Sequence, residues 1–276
     1  MGLLTKIKQK LKHIIKKEKR PKLDPKEIDR VKKKNRSSLK EIQKWVNDDD
    51  FEKSFFSYGV PDYVKPLLNR EIGDEITYTD LLLYYSRYLN SPKYLELGVS
   101  VGKNFYQIAE GLENSFLMGF DIEDMSSPLK HTFSFVETEK WKGPKTSLRN
   151  REFELTSYNY KSNKIKYLAG DIWDEASWMK LSENKFNIIF SDALHTPEAL
   201  LWEYQMLYKY QLLDEKFIII WDDLNNGLEN SFHQIAKNLI NDKKVDQKKG
   251  VFLLKVNGWL GENETPHDIG LITNII

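Results

Sequence analysis

From residue 92 onward the chain alternates short apolar runs with helix-length stretches, and few folds accept that rhythm. The runs are "KYLEL", "FLMGFDI", "IKYLAGDI", "FNIIFSD", "KFIIIWDD", "GVFLLKV" and "IGLITN". Parallel neighbours in a sheet need a long crossover, usually a helix, and helix-length segments join most of the first five runs. The last two are separated only by "NGWLGENETPHD", a link suited to an antiparallel hairpin. The pattern predicts an α/β domain over 92–276. Residues 123–164 are long and polar for a simple connection and form an insertion, either a lid or substrate wall or a plain surface excursion.

Two segments precede this domain. Ser38 and Glu41 have capping-box spacing before "IQKWV", and helical patterns cover about 62–69 and 80–89, with Thr79 as the N-cap of the latter. Residues 37–91 therefore read as a helical lead-in packing on the main domain. Residues 1–36 read as a basic amphipathic arm, with Leu3, Leu4, Ile7, Leu11, Ile14 and Ile15 on one helical stripe. "RPKLDPKE" then breaks the helix at Pro21 and Pro25.

Charge separates the same regions. Residues 1–40 hold 16 Lys/Arg and 4 Asp/Glu; the remainder holds 26 and 37, so a basic arm precedes an acidic body. Such a field brings residues 1–20 to an anionic membrane surface or a protein partner, or folds the arm onto its own body. Lys6 breaks the myristoylation pattern. No apolar run approaches the roughly 20 residues that span a bilayer, and lysines interrupt any secretory core. The absence of cysteine excludes disulfides, thiolate metal sites and cysteine nucleophiles. A cytoplasmic protein is expected, its arm either peripheral at a membrane surface or packed on a partner or its own domain.

"YLELGVSVGKN" (94–104) carries the first chemistry. An apolar strand ends in Glu96, Gly98 and Gly102 follow, and a helix begins near Lys103. Glycines there permit a tight turn and close backbone approach. In open α/β sheets ligands sit beyond the carboxyl ends of the strands. The second strand ends in Asp121, 23 residues after Gly98, where a carboxylate can accept from a ribose diol. The third ends in "GDIW", placing Asp171 for an adenine amino group and Ile172 and Trp173 beside a ring; the fourth ends at Asp192.

In order and spacing, "ELGVSVGKN", "GFDI", "GDIW" and "FNIIFSDALH" resemble the successive motifs of class I S-adenosylmethionine-dependent methyltransferases. The resemblance covers about 92–276. It implies a Rossmann-like seven-stranded, mostly parallel sheet with its last strand antiparallel, and S-adenosylmethionine as cofactor. It assigns Glu96 and Gly98 to the methionine moiety, Asp121 to the ribose, and Asp171 with Ile172 to the adenine. Ser100, Gly102, Ile122 and Asp192 complete the implied cofactor set. The cofactor has no pyrophosphate, which explains a glycine spacing other than GxGxxG and disfavours a dehydrogenase.

Beyond the cofactor, Asp192 and the pair Asp222–Asp223 end neighbouring strands, and three carboxylates suit Mg²⁺ or a similar ion. A metal there can lower the pKa of substrate hydroxyls, and His195 can take the proton. The arrangement resembles metal-dependent O-methyltransferases acting on macrolide sugars, with Asp222 where glutamate is usual. Catechol-type enzymes use an Asp–Asn pair, for which Asn225 or Asn226 stands available. Each residue also has a plain reading: Asp192 as a strand cap, His195 as a turn residue, Asp222–Asp223 as a solvated turn. His131, His233, His13 and His267 have no comparable company in the sequence.

The expected function is methyl transfer to a hydroxyl of a small molecule, a sugar or glycan, with His195 and Asp192 as catalytic residues. Two alternatives remain: an RNA or protein methyltransferase using the basic arm, and a non-enzymatic cofactor-binding scaffold. The acidic body and the lack of an aromatic-basic signature weigh against nucleic acid.

Overall fold

A computed structural model describes residues 21–44, 47–48, 53–54, 72–149, 151–225, 227–258 and 266–275. The expected stripe at Leu3–Ile15, the helix expected at 62–69 and Asn226 lie outside the described residues.

The alternating runs build one nine-stranded sheet. Its strands are β1 (Lys93–Leu97), β2 (Phe116–Asp121), β3 (Ser134–Trp141), β4 (Phe153–Tyr160), β5 (Asn163–Ala169), β6 (Phe186–Ser191), β7 (Leu213–Trp221), β8 (Val251–Val256) and β9 (His267–Thr273). Their order is β8-β9-β7-β6-β1-β2-β5-β4-β3. β5, β2, β1, β6 and β7 are mutually parallel. β9 runs antiparallel to β7 and pairs with β8 as the expected terminal hairpin.

The expected count of seven strands is corrected to nine. The extra pair, β3 and β4, comes from the 123–164 insertion and extends the sheet beyond β5 by antiparallel pairing. β3 is exposed along nearly its whole length, so it carries no alternation of buried apolar residues. A register shift between Phe135 and Glu137, together with Glu137, Glu139 and Lys140, keeps this free edge from templating another strand.

Strand residues alternate between two cores, as the two-residue period of a strand requires. Tyr94, Leu117, Ile188, Phe190, Ile218 and Ile220 face one side. Leu95, Leu97, Met118, Phe120, Ile189, Ile219 and Trp221 face the other. On the first face lie α1 (Pro25–Lys44), α2 (Tyr78–Ser86), α3 (Lys103–Gly111) and α4 (Ser127–Thr132). On the second lie α5 (Glu175–Met179), α6 (Pro197–Lys209) and α7 (Leu228–Asn241). The sheet is thus covered on both faces.

Two local expectations change. Thr77, rather than Thr79, caps α2: its side chain accepts from the Asp80 amide while Asp80 accepts from the Thr77 amide, a complete capping box. Ser38 and Glu41 lie inside α1, which begins at Pro25; Asp24 Oδ1 accepts from the amides of Lys26 (2.9 Å) and Glu27 (3.2 Å). Pro25 therefore opens a helix, where its missing N–H costs nothing. The boundary expected at residue 36 falls within this helix. α1 buries Leu39 and Ile42 completely, each contributing roughly 1.5–3 kcal/mol. Among the described residues no helix is long and apolar enough to cross a membrane.

Candidate active site

The five parallel strands end on one side, and the expected residues gather there. Backbone hydrogen bonds tie these ends together beyond the strands: Gly98 N to Phe120 O (2.9 Å), Asp192 N to Leu97 O (2.8 Å), and Asp222 N to Ser191 O (3.0 Å). Gly98 sits at φ +79°, and a Cβ there would lie 2.3 Å from the Asp192 carbonyl oxygen. Only glycine lets β1 and β6 approach so closely. Gly102, at φ +88°, leaves α3 without a side-chain cap and leaves room for Leu129.

Glu96 is buried on the α2–α3 face, where Oε2 accepts from Tyr94 Oη (2.5 Å) and Asn104 Nδ2 (3.0 Å). Thr79 in turn donates to Asn104 Oδ1 (2.7 Å), fixing the amide. Burial pushes the Glu96 carboxyl well above its ordinary range, against these bonds and with help from Asp192 and Asp121. A cation beside it would restore the carboxylate. Tyr94 and Asn104 do not stand out in the sequence, and Thr79 stands out only as a helix cap; the remaining signal is polarity at buried positions.

Asp121 accepts from the Ser100 amide (2.7 Å) on Oδ2 and from the Glu123 amide (2.8 Å) on Oδ1, so it joins the glycine loop to the turn that follows β2. Ser100 adopts φ +53° to present that amide. Ile122 enters through its backbone, its carbonyl accepting from Arg149 Nη1 (2.6 Å). Asp171, also buried, accepts from Ser147 Oγ (2.9 Å), Leu148 N (2.7 Å) and Trp173 N (2.9 Å). A carboxylate has about four acceptor directions, so one remains for a ligand donor. Ser147 and Leu148 belong to the insertion, which therefore reaches over the end of β5. Ile172 packs into the α5–α6 core, and Trp173, 38% exposed beside Trp202, offers the aromatic surface.

At the β6–β7–β9 edge the structure brings together five side chains. His195 Nε2 lies 3.0 Å from Asp192 Oδ1, and His195 Nδ1 lies 3.8 Å from Asp223 Oδ2. His267 Nδ1 lies 2.9 Å from Asp222 Oδ2 and 3.5 Å from Asp223 Oδ1. Among the described residues, the three whose ligand atoms all lie within 4.8 Å of one another are Asp222, Asp223 and His267. Asp192 falls outside that group and pairs with His195. The expectation that His267 lacks company is therefore wrong: antiparallel pairing of Gly270 with Trp221 carries the start of β9 past the end of β7. Asp223 holds φ +50°, an uncommon conformation for a residue with a side chain.

Electrostatics follow from this crowding. Burial pushes the Asp192 carboxyl up to about 6, with Asp222 and Asp223 adding to it and His195 opposing. The hydrogen bond that the His195 ring donates to the Asp192 carboxylate raises the ring above its usual value. His267 holds Asp223 below the usual carboxylate range. Two carboxylates and an imidazole within reach of one point fit a divalent ion chemically. Asn225 joins the turn through its backbone amide, 2.7 Å from Asp223 O.

Behind the site, Glu203 on α6 is 1% exposed; Oε2 accepts from Ser191 Oγ (2.5 Å) and Oε1 is buried without a partner. Burial pushes its carboxyl up to about 7. A second concavity, lined by Lys130, Thr138, Glu154, Thr156, Tyr158 and Tyr167, opens between α4 and the inserted hairpin. A groove between the ends of α6 and α7 lies at the opposite end of the strands from all of this.

No protein-family model matches the sequence, and no curated protein matches it. Several solved structures resemble its fold. An O-methyltransferase from Bacillus cereus in complex with SAH is 12% identical over 86% of this chain and 91% of that one, at a TM-score of 0.49. The O-methyltransferase TomG from Streptomyces achromogenes, involved in tomaymycin synthesis and complexed with SAM, is 11% identical over 88% and 98%, at 0.42. The MycE methyltransferase of mycinamycin biosynthesis, complexed with Mg, SAH and mycinamycin VI, is 14% identical over 78% of this chain but 48% of that one, at 0.38. At such identities and TM-scores below 0.5, these likenesses assign no activity to the chain.

Proposed function

We propose that the chain is an S-adenosylmethionine-dependent methyltransferase acting on a hydroxyl of a small molecule, a sugar or glycan, with a divalent ion and His195 assisting. One observation carries this reading. Glu96, Asp121 and Asp171, each buried at the end of a neighbouring parallel strand, line up in the order of an amino-acid end, a ribose and a purine.

The cofactor, when bound, supplies an electrophilic methyl group, and the ion a positive charge that acidifies a bound hydroxyl. The chain's own residues do the remaining work. Glu96 faces the ammonium, the Gly98 backbone gives it room, Asp121 accepts from the ribose hydroxyls, and the last acceptor direction of Asp171 meets the adenine amino group. Asp222 and Asp223 hold the ion. His195, oriented by Asp192, takes the acceptor's proton. The inserted hairpin and α4 wall the cleft beside the ribose end.

Titration calorimetry with S-adenosylmethionine tests the assignment. Binding should weaken by at least about tenfold in Asp121→Ala, the loss expected for charge-assisted hydrogen bonds. Equal affinity in the variant would remove Asp121 from the site and the reading with it.

A further inference from the structure

We propose that His267 is a metal ligand, so that the strand-edge site takes a first-row transition dication such as Mn²⁺ or Fe²⁺ in preference to Mg²⁺. The inference rests on the reading that a divalent ion occupies this edge, and it changes which ion and which side chains.

Geometry comes first. Ions of this size bind oxygen and nitrogen ligands at about 2.1 Å, which sets adjacent donors in an octahedron about 3 Å apart. His267 Nδ1 stands 2.9 and 3.1 Å from the two Asp222 oxygens and 3.5 Å from Asp223 Oδ1. These are separations that one ion can share. Asp192 lies outside the compact group, and its Oδ1 is engaged by His195.

Position supports the same assignment. Asp222 is 3% exposed at the end of β7, and the Leu224 amide bonds to Asp268 O at 2.7 Å, locking the start of β9 beside it. Tyr78 packs edge-on against the His267 ring at 5.7 Å, while its own ring stacks on Phe190. The imidazole is therefore held by packing as well as by the acids. An ion with two carboxylates and an imidazole keeps open positions for a substrate's hydroxyls.

Chemistry then selects the metal. Carboxylate and water ligands suit Mg²⁺ and Mn²⁺ alike, whereas an imidazole nitrogen suits Fe²⁺ and the later first-row dications. Mn²⁺, at the start of that series, accepts it more readily than Mg²⁺. One nitrogen donor in the set tips the preference. His195 keeps its separate place between Asp192 and Asp223 and remains available to a proton.

Mn²⁺ is the probe. Bound to the full-length protein, it should show nitrogen modulation in pulsed electron paramagnetic resonance, and ¹⁵N-histidine labelling should change that pattern. It should also bind at least about tenfold more tightly than Mg²⁺. His267→Ala should lose the modulation and most of the preference, while His195→Ala keeps both. If His267→Ala folds poorly, labelled His195→Ala still decides: modulation kept there leaves His267 as the imidazole beside Asp222 and Asp223. Modulation that vanishes in His195→Ala instead, or bound Mn²⁺ without nitrogen coupling, overturns the assignment of His267. In those cases, loss of Mn²⁺ in Asp222→Asn would still leave a metal at the site. No Mn²⁺ binding to the unmutated protein would remove the ion altogether, leaving cofactor binding to be judged on Asp121.

Discussion

Glu96 and Glu203 are both buried carboxyls beside a hydroxyl donor, and their surroundings give them opposite uses. Glu96 lies near the carboxyl end of β1, where burial pushes its carboxyl well above the ordinary range. A ligand cation placed against it favours the ionised form, so S-adenosylmethionine binding should shift that carboxyl toward proton release. Metal-free calorimetry in two buffers of different ionisation enthalpy reads this directly. The heats should differ for the native protein and coincide for Glu96→Gln; coincident heats in both would contradict the role. Glu203 has no such ligand. Its folded pKa of about 7 exceeds the ordinary carboxyl value, so the folded state holds the proton more tightly. Stability therefore declines as pH rises from about 4.5 to about 7 and is flat above, a loss on the order of 3 kcal/mol. Glu203→Gln should raise the melting temperature at pH 8 and leave it nearly unchanged at pH 4; an equal shift at both would refute the linkage. The burial of Glu203 was not legible in sequence, because a single buried glutamate on an amphipathic helix leaves no pattern; Glu96 was legible as the acid ending β1, but its bonds to Tyr94 and Asn104 were not. His267 was illegible for a different reason. Its partners are set by the register of two strands whose pairing, unlike their existence, the residues do not announce.

At the scale of elements, the seven apolar runs were legible and the inserted hairpin was not. β1, β2, β5, β6 and β7 are buried on both faces, and such strands must be continuous apolar segments. β3 lies at the sheet edge, and its sequence, "SFVETEKW", reads as loop. The glycine loop was legible in role because its geometry is severe. Gly98→Ala combines a left-handed backbone with a Cβ 2.3 Å from a main-chain oxygen that cannot rotate away. It should cost at least about 2 kcal/mol in urea unfolding and separate the ends of β1 and β6. Gly227 shares the left-handed backbone, at φ +94°, with nothing within 4 Å of a Cβ. Gly227→Ala should therefore cost only about 1 kcal/mol. Equal costs at the two positions would mean that the β1–β6 approach is looser than described.

Across the whole molecule, the charge asymmetry finds part of its use within the chain itself. Lys32 reaches Asp74, Lys34 reaches the carbonyl of Gly111, and Arg36 forms a pair with fully buried Asp80. Some of the basic segment thus folds onto the acidic body, one of the roles its field allows. Asp80 also accepts from Asn35 (2.8 Å) and the Thr77 amide (3.0 Å), so α1 and α2 meet at one carboxylate. Arg36→Ala leaves that charge buried with fewer partners and should destabilise the fold by about 3 kcal/mol in chemical denaturation. These helices cover the sheet face on which Glu96 and Tyr94 lie. If S-adenosylmethionine sits at the carboxyl ends of β1, β2 and β5, a crystal structure with S-adenosylhomocysteine and Mn²⁺ will show it. Ribose hydroxyls should lie on Asp121, the adenine amino group on Asp171 and the amino-acid end beside Glu96. A nucleoside bound elsewhere, or none bound at saturating concentration, would contradict that placement.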